Sequence, residues 1–488
     1  MAQHKVFATA VIAGGLILAA APRLFGQVVE PPTTVIGNPP SFGQSAAEAP
    51  DQEVITIRGE AMMVWPIEDL RRRGYDLPDV PREENAFWTY LEAINAFEDP
   101  PKEVREAFDH AFSKGWPTGY DDKLKAHLLD RANQKALSLA RQASGMKAFQ
   151  PCYFGDPSGS VISVLLPSMS PYRHLCKLLV ADGRRLEEQG AYDKALANYV
   201  AAMRIGHHVE SGFTLIEGLV GIACWAVGDK AVCEMALRRD LRPEQLREVH
   251  ETLTELFPLR PSAIRGVENE RLFGLSIVDE VVTRPTKLPQ NMAACSTVGG
   301  GVVNKGETGW DRLEARLGRL ILPDRTIKRY MEGYYDQLAE LARKPVYDRS
   351  WRQFDEEAAV MSIPRWTVLP RLLLPSLSRA CTIGERCRMQ SLATRLAVAL
   401  RLYATEHKGK PPASLAELHD MIPPGDLIDP FSGSQFVYKR DGTNWMFYSF
   451  SENEADDGGK MEDNPWKFDY VVRVPPPDVE PLELVDGE

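Results

Sequence analysis

Seven cysteines in 488 residues (Cys152, Cys176, Cys224, Cys233, Cys295, Cys381 and Cys387) are too few, and odd in number, for a disulfide scaffold. They leave room for one or two bridges in an oxidising compartment. No Cys-x-x-Cys occurs, which removes zinc-ribbon and thiol-redox readings. A basic excess is also missing. Against 68 Asp and Glu stand 57 Lys and Arg, a net charge of −11, whereas a general nucleic-acid binder needs a basic surface to release counterions from phosphate. After the first 27 residues no apolar run reaches the roughly 18 residues of a membrane helix. Catalytic signatures are lacking too. Asp156-Pro157-Ser158-Gly159-Ser160 has neither the glycines nor the setting of a hydrolase elbow. Lys305 precedes Gly306 rather than Ser or Thr, so the glycine-rich stretch Thr297 to Gly309 reads as a surface loop, not a phosphate cradle. His207 and His208 are adjacent rather than four apart, so on a helix they point about 100° apart and cannot easily grip one metal. With Glu210 they read as a helix-end group touching water or backbone. Glu83-Glu84 and Glu356-Glu357 read as solvated helix surface.

What is present begins with Lys5 and the uncharged apolar run Val6 to Ala21. Residues 1–27 are therefore a signal peptide, with cleavage after Gly26, or an uncleaved signal anchor. Residues 28–50, rich in Pro, Ser, Ala and Gly, are a flexible linker. Glu53 to Trp65 alternates weakly, as a short strand without an obvious partner. Residues 51–296 read as an all-α helical-hairpin domain. Within it Phe87, Tyr90, Leu91, Ile94 and Phe97 form one apolar stripe, and Leu124, Leu128, Ala132 and Ala136 another. A Gly-rich loop (297–309) and further helices (310–376) follow. An α+β module (377–475) and an acidic tail (476–488) complete the chain. The expected fold class is mainly α, with a small module of one helix packed on a three-stranded antiparallel sheet.

In the module, Leu392, Leu396, Ala399, Leu400 and Tyr403 share a stripe, with Arg395, Arg401 and Glu406 outside it. Gly409 and two prolines stop that helix. Ser414 and Glu417 have capping-box spacing for a short helix through Met421. Gln435 to Arg440 and Asn444 to Phe450 alternate about Asp441-Gly442, a hairpin signal, and Phe468 to Val474 supplies a third strand.

Two resemblances rest on these residues. Gly183, Gly190, Tyr192, Ala195, Tyr199 and Ala202 resemble the small and aromatic positions of a single tetratricopeptide repeat. LRLYATEHKGKPPASLAEL, LIDPFSGSQFVYKRDGTNWMFYSFSENEADDGG and FDYVVRV resemble the globular head of type II secretion major pseudopilins, over about 85 of the 488 residues. The second resemblance implies a calcium ion in the acidic loop. Asp456, Asp457 and Asp469 are its candidate ligands at a Gly458-Gly459 turn, with Ser451 and Glu452 as further oxygens. Asn453 and Glu454 depart from the Asp and Gly of that loop. The family's leader motif is absent from Met1 to Gln27, and Gly212-Phe213-Thr214-Leu215-Ile216-Glu217 spells it only in mid-chain, where it reads as a buried helix.

The resulting expectation is an exported, periplasmic or membrane-anchored, non-catalytic scaffold or adaptor. Its partners are proteins of the cell envelope, with no nucleic acid and with membrane contact only through the N-terminal segment. A hydrolase of envelope polymers and a pseudopilin-like filament subunit are the alternatives.

Overall fold

The structure, a computed structural model, describes residues 53–114, 122–155, 164–283, 324–348, 351, 354, 355, 359, 377–460, 466–474 and 476. The N-terminal segment, the linker, Cys295, the glycine-rich stretch, Glu356-Glu357 and the tail after Pro476 lie outside the described residues.

Segment 53–65 supplies two strands rather than one. β1 (Val54–Ile57) and β2 (Glu60–Trp65) pair antiparallel through Arg58 and Gly59, whose φ values of 52° and 83° make a tight left-handed turn. β3 (Tyr153–Phe154) joins the other edge of β2, with Trp65 opposite Tyr153. The region expected to be helical apart from one short strand thus carries a small sheet, because Ile55 and Ile57, with Met62 and Val64 beside them, bury one face of the hairpin in the main core, while Trp65 is buried on the other face in a separate cluster.

Helices α1 (Ile67–Arg72), α2 (Ala86–Ala96), α3 (Lys102–Lys114), α4 (Asp122–Leu129) and α5 (Arg131–Ser144) follow the strands. The stripe Phe87 to Phe97 is buried throughout. The stripe from Leu124 to Ala136 is divided at Asp130, whose carboxylate takes the Ala132 amide at 2.7 Å and starts a new helix.

The centre of the body is a run of hairpins: α6 (Met169–Glu188), α7 (Tyr192–Glu210) and α8 (Leu215–Arg238). Glycine sets their spacing. The Tyr199 ring lies where a side chain on Gly183 would stand. A Cβ on Gly206 would meet the Gly221 carbonyl at 2.5 Å, and one on Gly228 the Tyr199 carbonyl at 2.6 Å, so α7 and α8 touch backbone to backbone. α9 (Pro243–Leu256), α10 (Ala263–Thr283) and α11 (Asp324–Ala342) complete the described body.

α12 (Leu377–Glu406) belongs to both parts of the protein. It packs on α8, α9 and α10 and, with the Leu415–Leu418 turn and β4–β6, forms the module's own core around Leu396, Leu400, Phe431 and Phe447. Cys233 of α8 belongs to that core. β4 (Val437–Asp441), β5 (Asn444–Ser449) and β6 (Tyr470–Val474) form the expected three-stranded antiparallel sheet. Asp441 pairs with Asn444, which leaves Gly442-Thr443 as the two-residue turn with Gly442 at φ 60°, one position later than the Asp-Gly reading. Among the described residues no helix is long and apolar enough to cross a membrane.

Candidate functional site

Two buried carboxyls, Glu217 and Asp229, lie on α8. α8 starts with Thr214 as its N-cap and Glu217 as the reciprocal partner: Thr214 Oγ1 accepts the Glu217 amide at 3.1 Å, and Glu217 Oε2 accepts the Thr214 amide at 2.9 Å. The pseudopilin-like spelling Gly212 to Glu217 is thereby explained by helix initiation, in keeping with the buried-helix reading. Glu217 also accepts the Tyr153 hydroxyl at 3.1 Å, and that hydroxyl accepts the buried Phe213 amide. Burial raises the Glu217 carboxyl to about 7, against the pull of its Thr214 and Tyr153 hydrogen bonds.

Twelve residues further along, Asp229 is 1% exposed and likewise raised to about 7 by burial. Its Oδ2 accepts Thr394 Oγ1 at 2.9 Å and Gln390 Nε2 at 3.2 Å, both from α12, while its Oδ1 is buried without a partner. Gln390 also donates to the Ala226 carbonyl at 2.8 Å, and Trp225 Nε1 donates to Ser391 Oγ at 2.9 Å. A polar seam therefore ties α12 to α8. A third carboxyl, Glu270 on α10, is raised to about 7 by burial alone and lies near Tyr335.

His208 is a core residue. Its Nδ1 bonds the Tyr90 hydroxyl at 2.9 Å and its ring stacks on Phe149, while burial lowers it to about 4, leaving it neutral. His207 is half-buried and bonds the Leu259 backbone, so the two rings have separate partners. Glu83 and Glu84 are exposed.

Arg395, expected outside the buried stripe, is 3% exposed: it donates to Asp426 at 2.7 Å and covers the Phe257 ring. The correction follows from packing. α12 is covered by the body on one side and the sheet on the other, so a polar position still points into protein. Arg386 likewise pairs with Glu452 under the Trp466 ring.

In the acidic loop, Asp456 Oδ1 accepts the Tyr448 hydroxyl and the Gly458 amide at 3.0 and 2.9 Å. Asp457 accepts Asn453 Nδ2 at 2.6 Å. Asp469 is buried, takes the Gly459 amide at 2.7 Å, and keeps Oδ1 without a partner. Among the described residues no three His, Cys, Asp or Glu side chains are grouped to hold a metal ion. Each of the three carboxylates accepts hydrogen bonds from within the module.

Sequence reasoning missed Asp229, Gln390 and Thr394. One signal was available: Asp229 ends the uncharged run Gly218 to Gly228, and a buried charge demands partners. Comparison with protein families, characterised proteins and solved structures finds no match to this chain.

Proposed function

We propose that the protein is an exported, non-catalytic scaffold or adaptor of the cell envelope, in which residues 377–475 present a docking surface to protein partners, including machinery of the secretion or pilus type. One observation carries the reading. The polar groups most suited to chemistry, Glu217 and Asp229, are engaged in joining elements to one another, and Asp229 fastens the module's helix into the body. A head fixed in this way transmits position and load rather than swinging on a tether. The filament-subunit reading is weaker, because α12 is enclosed between body and sheet and buries Arg386 and Arg395.

The hydrolase alternative draws on Glu217 and Glu270, both raised into the range of a general acid. Glu217, however, is already bonded to Thr214 and Tyr153.

The test is photo-crosslinking in growing cells from exposed sheet positions such as Lys439 and Arg473. The scaffold reading expects one specific envelope protein at those positions and none from control positions on α3. Recovery of background alone contradicts it. Release of soluble fragments from envelope polymers, lost on Glu217→Gln, moves the assignment to the hydrolase.

A further inference from the structure

Arg260 follows the Phe257–Leu259 turn that joins α9 to α10. It is half-buried; its Nη1 donates to the Phe257 carbonyl at 2.9 Å, and its guanidinium lies over the Phe257 ring, 4.2 Å from the centroid. α12 brings a second guanidinium to the same ring: that of Arg395, 4.4 Å from the centroid. Arg395 is buried, and its Nε has no partner among the described residues. Arg388, two turns earlier on that face of α12, also keeps a buried Nε without a partner among the described residues. The carboxylates on this side are engaged elsewhere. Glu385 faces Arg388 at 3.5 Å and Asp426 faces Arg395 at 2.7 Å, and among the described residues no carboxylate stands within ion-pair distance of Arg260. Burial, and after it the Arg388 charge, lowers the Arg260 guanidinium from its ordinary range. The Arg388 side chain is 36% exposed and Leu259 39%, so the group opens to water.

We infer that Arg260, Arg388 and Arg395 form a binding site for a phosphate group, between the α9–α10 turn, α12 and the Pro424–Leu427 turn of the head. A cation drawn half out of water without a counter-charge destabilises the fold, and a bound anion offsets that cost. The number of forks selects the anion. One guanidinium satisfies both oxygens of a carboxylate in a single plane, whereas three from two separate elements need oxygens pointing in several directions, as a phosphate offers. Arg260 belongs to the body, and Arg395 is fastened to Asp426 of the head. A phosphate held by both therefore braces the head against the body. Its source is either a free phosphate or phosphate ester, or the headgroup of a phospholipid. The site goes beyond the scaffold reading and does not depend on it.

The test is titration calorimetry of the full chain with inorganic phosphate at constant ionic strength, together with co-sedimentation on phosphatidylcholine vesicles with and without phosphatidic acid. Saturable phosphate binding is expected, with Kd raised about tenfold or more by Arg260→Met and by Arg388→Met. Arg247→Met, on the exposed surface of α9 and paired with Glu406, should leave it unchanged. Binding to phosphatidic acid vesicles alone, lost in the same two variants, supports the site and assigns it to a lipid headgroup. Absence of binding to either probe, or binding that Arg260→Met and Arg388→Met leave intact, overturns the inference. Should Arg260→Met fail to fold, the decision passes to Arg388→Met, whose arginine is partly in water and whose loss leaves the Phe257 ring covered by Arg260 and Arg395.

Discussion

Thr394 of α12 gives its hydroxyl to Asp229 of α8 at 2.9 Å, deep in the interior between body and module. Burial holds the Asp229 carboxyl near 7, above the 3.8 of a free aspartate, so the folded protein binds a proton that the unfolded chain has released. Stability from this group is therefore full below about pH 4 and falls as pH rises to about 7, then stays level. Asp229→Asn keeps the acceptor for Thr394 and removes the charge. It should raise stability at pH 8 by about 2 kcal/mol and flatten the decline between pH 4 and 7, measured by urea denaturation across that range.

The contact of α7 with α8 sets a steric test. Gly221→Ala places a methyl against the Gly206 carbonyl, at 2.6 Å, and should cost about 3 kcal/mol. Gly218→Ala, three residues away and with open space around its Cβ, should instead gain about 0.5–1 kcal/mol from helix propensity. Chemical denaturation of the two variants side by side distinguishes close packing from a general intolerance of change in α8.

At the start of α8, Tyr153→Phe removes the acceptor of the buried Phe213 amide and one hydrogen bond to Glu217. A loss of about 1–3 kcal/mol is expected. Thr214→Ala, which loses the cap, should cost about 1 kcal/mol. Thermal melts check both.

The Arg386–Glu452 pair should respond unequally to its two deletions. Glu452→Ala strands a buried guanidinium and is expected to destabilise by about 3–5 kcal/mol, whereas Arg386→Met leaves a carboxylate with some access to water and costs less. Equal losses in calorimetry would mean that the pair is not buried as described.

Calcium at millimolar concentration is expected to leave the melting temperature unchanged, because Asp456, Asp457 and Asp469 already accept hydrogen bonds from Tyr448, Asn453 and backbone amides. A rise of several degrees, lost on Asp469→Asn, would show that the loop rearranges into a site.

The module was the most legible part of the chain. Local chemistry specifies it: a capping box at Ser414 and Glu417, a glycine stop at Gly409 and a glycine turn between β4 and β5 each act within a few residues. The β1–β2 hairpin was half legible, since Arg58-Gly59 is a weak turn signal and its strands carry exposed Val54 and Met63. Arg395 and the Asp229 seam were hidden for another reason. Helical periodicity distinguishes a wet face from a dry one, and α12 has no wet face along most of its length. Which helix covers which is decided by non-local packing through Gly206, Gly221 and Gly228.

α12 is part of the body as well as of the head. Native-state amide hydrogen exchange tests it most directly. The prediction is that amides from Met389 to Leu400 on α12 open with the same free energy as those from Ile222 to Met235 on α8, in one cooperative unit. Exchange of α12 together with β4–β6 at a distinctly lower free energy, while α8 stays protected, would show a separately folding head and contradict the account.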